Sequence, residues 1–349
     1  MIGLKRFLIF LKRTLIFLAV NLLLIVIALY SVMYICVHGP STRARDLFVM
    51  SVKETSAVGF LANIYLSEDE IAKIMEANSV SGDYEETDVA LIHIKERKQD
   101  EYKEDVIQTD DDSKKEDVYA ESDGIKILNI STSSYKGKLA IISDPSRVYV
   151  GVSGKYGKNE NGKTITDIAI SNGACLATNA GGFVDEKGLG LGGEPIGMVI
   201  TGSKLLYGNP NTQYEICGFT KDNIMIMGYM TPNQALSRGV RDAISFGPAL
   251  VSNGALTKIN GTGGGMNPRT AIGQREDGAV LILVIDGRQV TSFGATYQDI
   301  ANIMLEYGAV NAFNLDGGSS SAMYYEGRII NSVATGGYLR PLPTAIIVK

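Results

Sequence analysis

Ala279-Val-Leu-Ile-Leu-Val-Ile-Asp-Gly-Arg288 opens the stretch that decides the fold, and Val310-Asn-Ala-Phe-Asn-Leu-Asp-Gly-Gly-Ser319 closes it. Ala279–Ile285 is apolar throughout, the mark of a central strand covered on both faces. Thr296–Tyr307 then spaces its apolar residues for an amphipathic helix, and Val310–Leu315 returns to strand. Outward from this unit, Asn253-Gly254, Asp277-Gly278 and Glu326-Gly327 each separate two apolar runs with residues that tolerate positive φ, so each predicts a hairpin. Ile125–Ile130, Leu139–Ile142 and Val148–Val152 read as short strands. Thr164–Ser171 reads as a helix stopped by Asn172-Gly173, and Thr231-Pro232 starts another that runs to Arg238-Gly239. A strand-helix-strand unit within a hairpin-rich chain gives an α+β fold with a mixed, glycine-rich β-sheet.

The glycines locate that domain. Of 39 in the 349-residue chain, 35 lie after Asp123, which sets the domain at 124–349. Both histidines, His38 and His93, fall outside it. Ser-His-Asp chemistry, Cys-His chemistry and imidazole-held zinc are therefore excluded there. The net charge of −5 offers no basic excess to meet phosphates, so nucleic acid is not an expected partner.

The N-terminus predicts a membrane anchor. Leu15–Val37 is apolar except for Asn21 and Ser31, and as helix it would span roughly 34 Å, enough for a bilayer core. A cleaved signal peptide has an apolar region of only ~7–15 residues, and Thr42-Arg43-Ala44 is a weak cleavage site. An uncleaved signal anchor is the expectation. Lys5, Arg6, Lys12 and Arg13 keep residues 1–14 cytoplasmic, so everything after the 15–37 span is expected outside. Residues 38–95 read as a helical stalk, with Ser67 and Glu70 forming a capping box for a helix through Ala77. Residues 96–123 carry 12 acidic and 5 basic residues, the composition of a disordered tether; without them the chain has a charge of +2. Cys36 reads as a small apolar residue of the anchor, while Cys175 and Cys217 fit equally a disulfide or two free thiols.

Four segments put glycine beside polar side chains at the end of an apolar run: Asn179-Ala-Gly-Gly-Phe183, Asn267-Pro-Arg-Thr-Ala-Ile-Gly273, Val284-Ile-Asp-Gly-Arg288 and Asn314-Leu-Asp-Gly-Gly-Ser-Ser-Ser321. Gly181, Gly182, Gly317 and Gly318 let a backbone approach a ligand and aim N–H groups at an anion. Arg269 and Arg288 suit phosphate or carboxylate. Asp286 and Asp316 each follow a strand directly, and Asn179 and Asn314 suit sugar hydroxyls. Each piece alone has a plainer reading, since an Asp-Gly after a strand is usually only a turn. Together they have complementary chemistry in one domain.

In this order the four segments resemble the phosphodiester glycosidase domain, a family that includes bacterial exopolysaccharide-related proteins. The resemblance covers roughly Ala174 to Ile347, and Asp-Gly-Arg with Asn-Leu-Asp-Gly-Gly is its most specific part. The family often has a third glycine where this chain has Ser319. The resemblance implies hydrolysis of a sugar-1-phosphodiester of the GlcNAc-1-phosphate type to free sugar and a phosphate monoester. That leaving group departs with little protonation, so the chemistry suits a domain without histidine. On this reading Asp316 is base or nucleophile, and Asp286 gives electrostatic or sugar contact, with Glu194 as reserve carboxylate. Arg269 and Arg288 hold phosphate with the loop glycines and Ser319, while Asn179 and Asn314 position the sugar. The expected setting is processing of envelope or exopolysaccharide glycans at the cell membrane.

Three rivals stand beside this. A serine hydrolase using Ser319 or Ser320 would need a lysine base, and no Ser-x-x-Lys motif accompanies them. Asp286, Asp316 and Glu194 would suit Ca²⁺ or Mg²⁺, yet no EF-hand spacing exists and no cofactor is firmly implied. A non-catalytic, membrane-tethered module for glycan binding or envelope assembly is the alternative function.

Overall fold

The computed structural model describes residues 2–94, 116–185, 188 and 190–349. Among them are six α-helices and eighteen strands. The helices are α1 (Ile2–His38), α2 (Thr42–Lys53), α3 (Glu68–Ala77), α4 (Ile165–Asn172), α5 (Pro232–Ser237) and α6 (Tyr297–Glu306). The strands form three sheets. The largest runs β1 (Val118–Ser122), β2 (Ile125–Ser131), β3 (Lys136–Ile142), β14 (Val280–Ile285), β13 (Arg269–Arg275), β15 (Ala309–Leu315), β11 (Ala249–Ser252), β12 (Ala255–Leu256). The second runs β7 (Lys204–Tyr207), β6 (Val199–Thr201), β10 (Val240–Ser245), β8 (Tyr214–Thr220), β9 (Met225–Met230). The third runs β17 (Arg328–Ile329), β16 (Met323–Tyr325), β5 (Leu176–Asn179), β18 (Thr344–Val348), β4 (Val148–Val152).

The α+β class holds, with all sheet pairings among the described residues antiparallel. The strand-helix-strand unit therefore gives no parallel pair. β13 lies between β14 and β15 and runs against both, so the sheet is antiparallel rather than mixed. The apolar run of β14 has the expected cause. Val280, Ile282 and Val284 face a core where the three sheets meet, while Leu281, Leu283 and Ile285 face α6 through Ile300 and Met304. α4 covers the outer face of the third sheet with Ile165 and Ile168, and α5 covers the second with Ala235. Turns at Asn253-Gly254 and Glu326-Gly327 have positive φ at both residues, as hairpins of this kind require. Thr164, Thr231 and Thr296 each cap a helix, and Gly173 ends α4 in the left-handed region at φ 64°.

α1 is long and apolar enough to cross a membrane and contains the 15–37 span. The 38–95 segment differs from a free-standing helical stalk. Its helices end with α3, which carries the expected Ser67–Glu70 capping box. Beyond it the chain runs along the 124–349 domain, where Ser81 N–H donates to Lys258 O at 2.8 Å and His93 N–H to Glu276 O at 2.7 Å. Polar backbone needs partners, and the segment after β12 and the β13–β14 turn supply them. Most of the acidic tether lies outside the described residues. Its end, however, is strand rather than tether, since β1 pairs with β2. The three cysteines are free, with Cys217 buried.

Candidate active site

Antiparallel pairing brings the site together. Because β13 runs against β14 and β15, its first residue lies at the edge where those two strands end; Arg269 pairs with Ile285 and Thr270 with Leu315. Arg269, Asp286 and Asp316 thus share one edge of the large sheet. The third sheet joins at the end of β5. Asp316 N–H donates to Ala180 O at 2.9 Å, and the Asn179 side-chain amide donates to Asp316 O. Asn179 Oδ1 accepts from the Thr270 hydroxyl at 2.9 Å and from Ala322 N–H at 3.3 Å. Fully buried, Asn179 is the tie between two sheets and the Asp316 loop, which makes it a positioning group.

Asp316 is the most perturbed acid of the site. Burial pushes its carboxyl up to about 6, against the downward pull of the Ser320 hydroxyl, Arg340 and the Gly317 N–H. Gly317 N–H donates to Oδ1 at 3.0 Å. Oδ2 is shut off from solvent and has no hydrogen-bond partner. Asn314, two residues earlier and so on the same strand face, repeats the pattern. Its amide donates to Gly247 O at 2.7 Å, while its buried Oδ1 has no partner. Unpartnered buried acceptors are costly, and two at one strand end point to a ligand that donates hydroxyls.

Asp286 is held differently. Its Oδ1 accepts from Asn331 Nδ2 at 2.9 Å and Ser332 N–H at 3.0 Å. Burial raises its pKa, with these bonds, Lys138 and Lys136 working against it. Arg288 sits in the left-handed region at φ 58°. Its guanidinium donates to the Thr55 hydroxyl at 2.8 Å and to Asn267 Oδ1 at 3.1 Å. It also closes on Gly318, where an added Cβ would stand 3.2 Å from Arg288 Nη2 at a φ of 62°, so a side chain there is strained and pushes on the guanidinium. Gly182 is equally constrained, since a Cβ there would meet the Phe246 ring at 2.6 Å. Gly317 passes over Pro268 O, and Gly181 N–H bonds the Thr344 hydroxyl at 3.0 Å.

Arg269 faces inward. It donates to Ala295 O at 3.0 Å, Gly265 O at 2.7 Å and Glu54 Oε2 at 2.6 Å, and its guanidinium stacks on Tyr297 at 3.9 Å. Glu194 is not brought to the Arg–Asp group by any side-chain bond. Its carbonyl pairs with Val184 N–H at 2.9 Å, and its carboxylate influences Tyr207. Ser319 Oγ accepts from Arg340 Nη1 at 3.4 Å.

The sequence reading missed several members. Arg340 grips Asp185 with two bonds of 2.9 and 2.8 Å, and both groups act on the Asp316 carboxyl. Asp185 lies two residues after Asn179-Ala-Gly-Gly-Phe183, so its proximity to a quoted loop was a usable signal. Asn331 and Glu54 offered none. Among the described residues no three of His, Cys, Asp and Glu are grouped to hold a metal ion.

Comparison with known proteins meets this geometry. The phosphodiester glycosidase family model matches residues 172–349. An uncharacterised SPbeta-prophage-derived protein of Bacillus subtilis (strain 168) is 32% identical over 203 residues, covering 55% of this chain and 30% of that protein. N-acetylglucosamine-1-phosphodiester α-N-acetylglucosaminidase of Mus musculus is 25% identical over 219 residues, covering 55% of this chain and 40% of the enzyme. The chain thus spans less than half the length of these relatives. The zebrafish enzyme's catalytic domain, auto-inhibited by its pro-peptide, has the same fold at a TM-score of 0.53 and 19% identity, covering 64% of this chain and 82% of that one. With half its length matched by the family model, the chain belongs to the phosphodiester glycosidase family.

Proposed function

We propose that the chain is a membrane-anchored, extracytoplasmic hydrolase that cleaves a sugar-1-phosphodiester of the GlcNAc-1-phosphate type in envelope or exopolysaccharide glycans. The observation that carries this is Asp316: a half-buried residue at a strand end whose carboxyl burial pushes up to about 6, beside Arg340 and the Arg288–Gly318 loop. A base at that position takes a proton from water as the water oxygen bonds the anomeric carbon. The anomeric C–O bond breaks, and its electron pair leaves with the phosphate monoester. Arg288, held in place by Thr55 and Asn267, meets that phosphate, so the negative charge that grows on it faces a fixed donor. Asn314 Oδ1 and Asp286 receive sugar hydroxyls. Arg269 supports the loop from behind through Gly265 and Ala295. Lys5, Arg6, Lys12 and Arg13 in the first turns of α1, and the length of the apolar span that follows them, support the anchor and the external domain.

Incubating the full-length chain with an α-GlcNAc-1-phosphodiester in heavy-oxygen water tests the reaction. Free GlcNAc carrying the label and unlabelled phosphate monoester are expected. Sugar-1-phosphate as product would mean P–O cleavage and overturn the assignment. Glycan binding without turnover would favour the non-catalytic module. The protonation state gives a second expectation: because the base works ionised and burial places its pKa about 6, kcat/KM should fall roughly tenfold per pH unit below that value. A rate constant flat between pH values either side of 6 would remove Asp316 from the base role.

A further inference from the structure

α1 does not leave the rest of the protein behind at its end. The Tyr65 hydroxyl donates to the Tyr30 carbonyl at 2.9 Å, and the Tyr65 ring lies 6.2 Å from Tyr34 and 6.3 Å from His38. Tyr30 is about 12 Å along the helix axis before His38, at 1.5 Å per residue. The 3-10 turn Gly59–Ile64, which ends at Tyr65, therefore runs beside the last two turns of the apolar helix. It is two-sided. Ala62 is fully buried against Val49, Ile71 and Ile74, while Phe60 and Ile64 point out and stay 62% and 40% exposed. Tyrosines at this level match the aromatic belt of a bilayer interface.

This turn is wired to the active site. Thr55, four residues before Gly59, holds Arg288, so at ~3.5 Å per residue Arg288 lies within about 14 Å of the turn. The loop that follows Arg288 exposes Val290 almost completely, at 94%, together with Phe293. Across the segment, Gly188 packs on Ala57, and its loop exposes Val184 and Leu191. Site loops on both sides of the 54–58 crossing thus carry large apolar side chains outward. Large apolar side chains exposed together mark a contact surface for protein or membrane.

We propose that this apolar rim lies in the outer leaflet, and that the site takes a sugar-1-phosphodiester whose aglycone is a lipid chain held there. The inference rests on the glycosidase reading above. It sets the phosphate at headgroup depth, where Arg288 and the glycine loop meet it; the sugar is released to water and the lipid monophosphate stays in the bilayer.

The chain has no tryptophan, so Phe60→Trp and Phe293→Trp each place a single reporter. In phosphatidylcholine vesicles both are expected to emit blue-shifted fluorescence that chain-brominated phosphatidylcholine quenches. Emission as in water, unquenched, would overturn the leaflet contact, whatever the activity. In the same vesicles, kcat/KM for the dodecyl ester of α-GlcNAc-1-phosphate should exceed that for the methyl ester by at least about tenfold. Val290→Ser with Phe293→Ser should shrink this preference to about twofold, with kcat on the methyl ester unchanged, a loss that simple partitioning of the dodecyl ester does not give. Equal kcat/KM values, or a preference that survives the double substitution, would overturn the lipid aglycone. If neither ester is cleaved, the glycosidase reading falls, and the quenching result alone decides the rim.

Discussion

Asp316→Asn is expected to abolish hydrolysis and, at the same time, to raise the melting temperature at pH 8. The two effects have one origin. Burial lifts the folded carboxyl from 3.8 to about 6, so the folded state disfavours the ionised form that the proposed base role needs. For a raised carboxyl the stability is fullest below the unfolded pKa and is lost as pH rises through the folded one. Above 6 the ionised group therefore costs the fold about 3 kcal/mol, from a shift of roughly two units at 1.36 kcal/mol each. Asparagine keeps the shape and leaves an oxygen for the Gly317 N–H but removes the charge. Turnover should drop on the order of 10²–10⁴-fold, the usual contribution of a positioned base. The melting temperature should rise several degrees at pH 8, and the gain should shrink as pH is lowered through 6 toward 4. A variant that keeps full activity would exclude Asp316 from the chemistry. A gain that is the same at both pH values would show that ionisation is not its cause.

The residues that make the fold are written locally, which is why they are legible. Ala279–Ile285 is apolar on alternate faces because each face has a separate core, and Asn253-Gly254 or Glu326-Gly327 sets a hairpin by its own φ values. Strand order is a different matter. Nothing within 279–315 announces that β13, partner of β14 in the Asp277-Gly278 hairpin, pairs with β15 as well and so inserts between the two strands of the unit. The site follows the same division. Asp286, Asp316 and Arg288 stand at strand ends with glycine beside them, and the sequence marks them. Arg340 and Asn331 act through contacts 155 and 45 residues away in the chain, with Asp185 and Asp286, and no local pattern encodes such a distance. The stalk reading gave the helix but not its surroundings, for a related reason. An amphipathic helix pattern over 67–77 says that one face is buried, but not that the chain around it closes on the 124–349 domain.

Glu54→Ala is expected to show what that closure does. Glu54 caps α2, outside the matched family region of 172–349, and it is the carboxylate held by Arg269. Oε2 also accepts from Asn267 Nδ2 at 3.0 Å, and Oε1 from Gly265 N–H at 3.0 Å. Arg269 is only 5% exposed, and its charge lies near Arg288, whose pKa burial lowers first and Arg269 lowers further. Glu54 therefore balances the buried Arg269 guanidinium, which the exposed Arg288 guanidinium repels. Removing it leaves a buried charge without its counter-ion, which costs about 3–5 kcal/mol, or on the order of ten degrees of melting temperature. The same vacancy is a site for a smaller anion. Inorganic phosphate at about ten times its dissociation constant would return roughly 1.4 kcal/mol to the variant. The intact chain, with the carboxylate in place, should respond much less. Glu54→Gln separates shape from charge: it fills the space and keeps one acceptor for the Gly265 N–H, so it should lose less stability and show little phosphate response. A large loss with no phosphate response in either variant would make Glu54 a purely structural brace. A response confined to Glu54→Ala would mean that the Glu54 carboxylate occupies an anion position between Arg269 and Arg288.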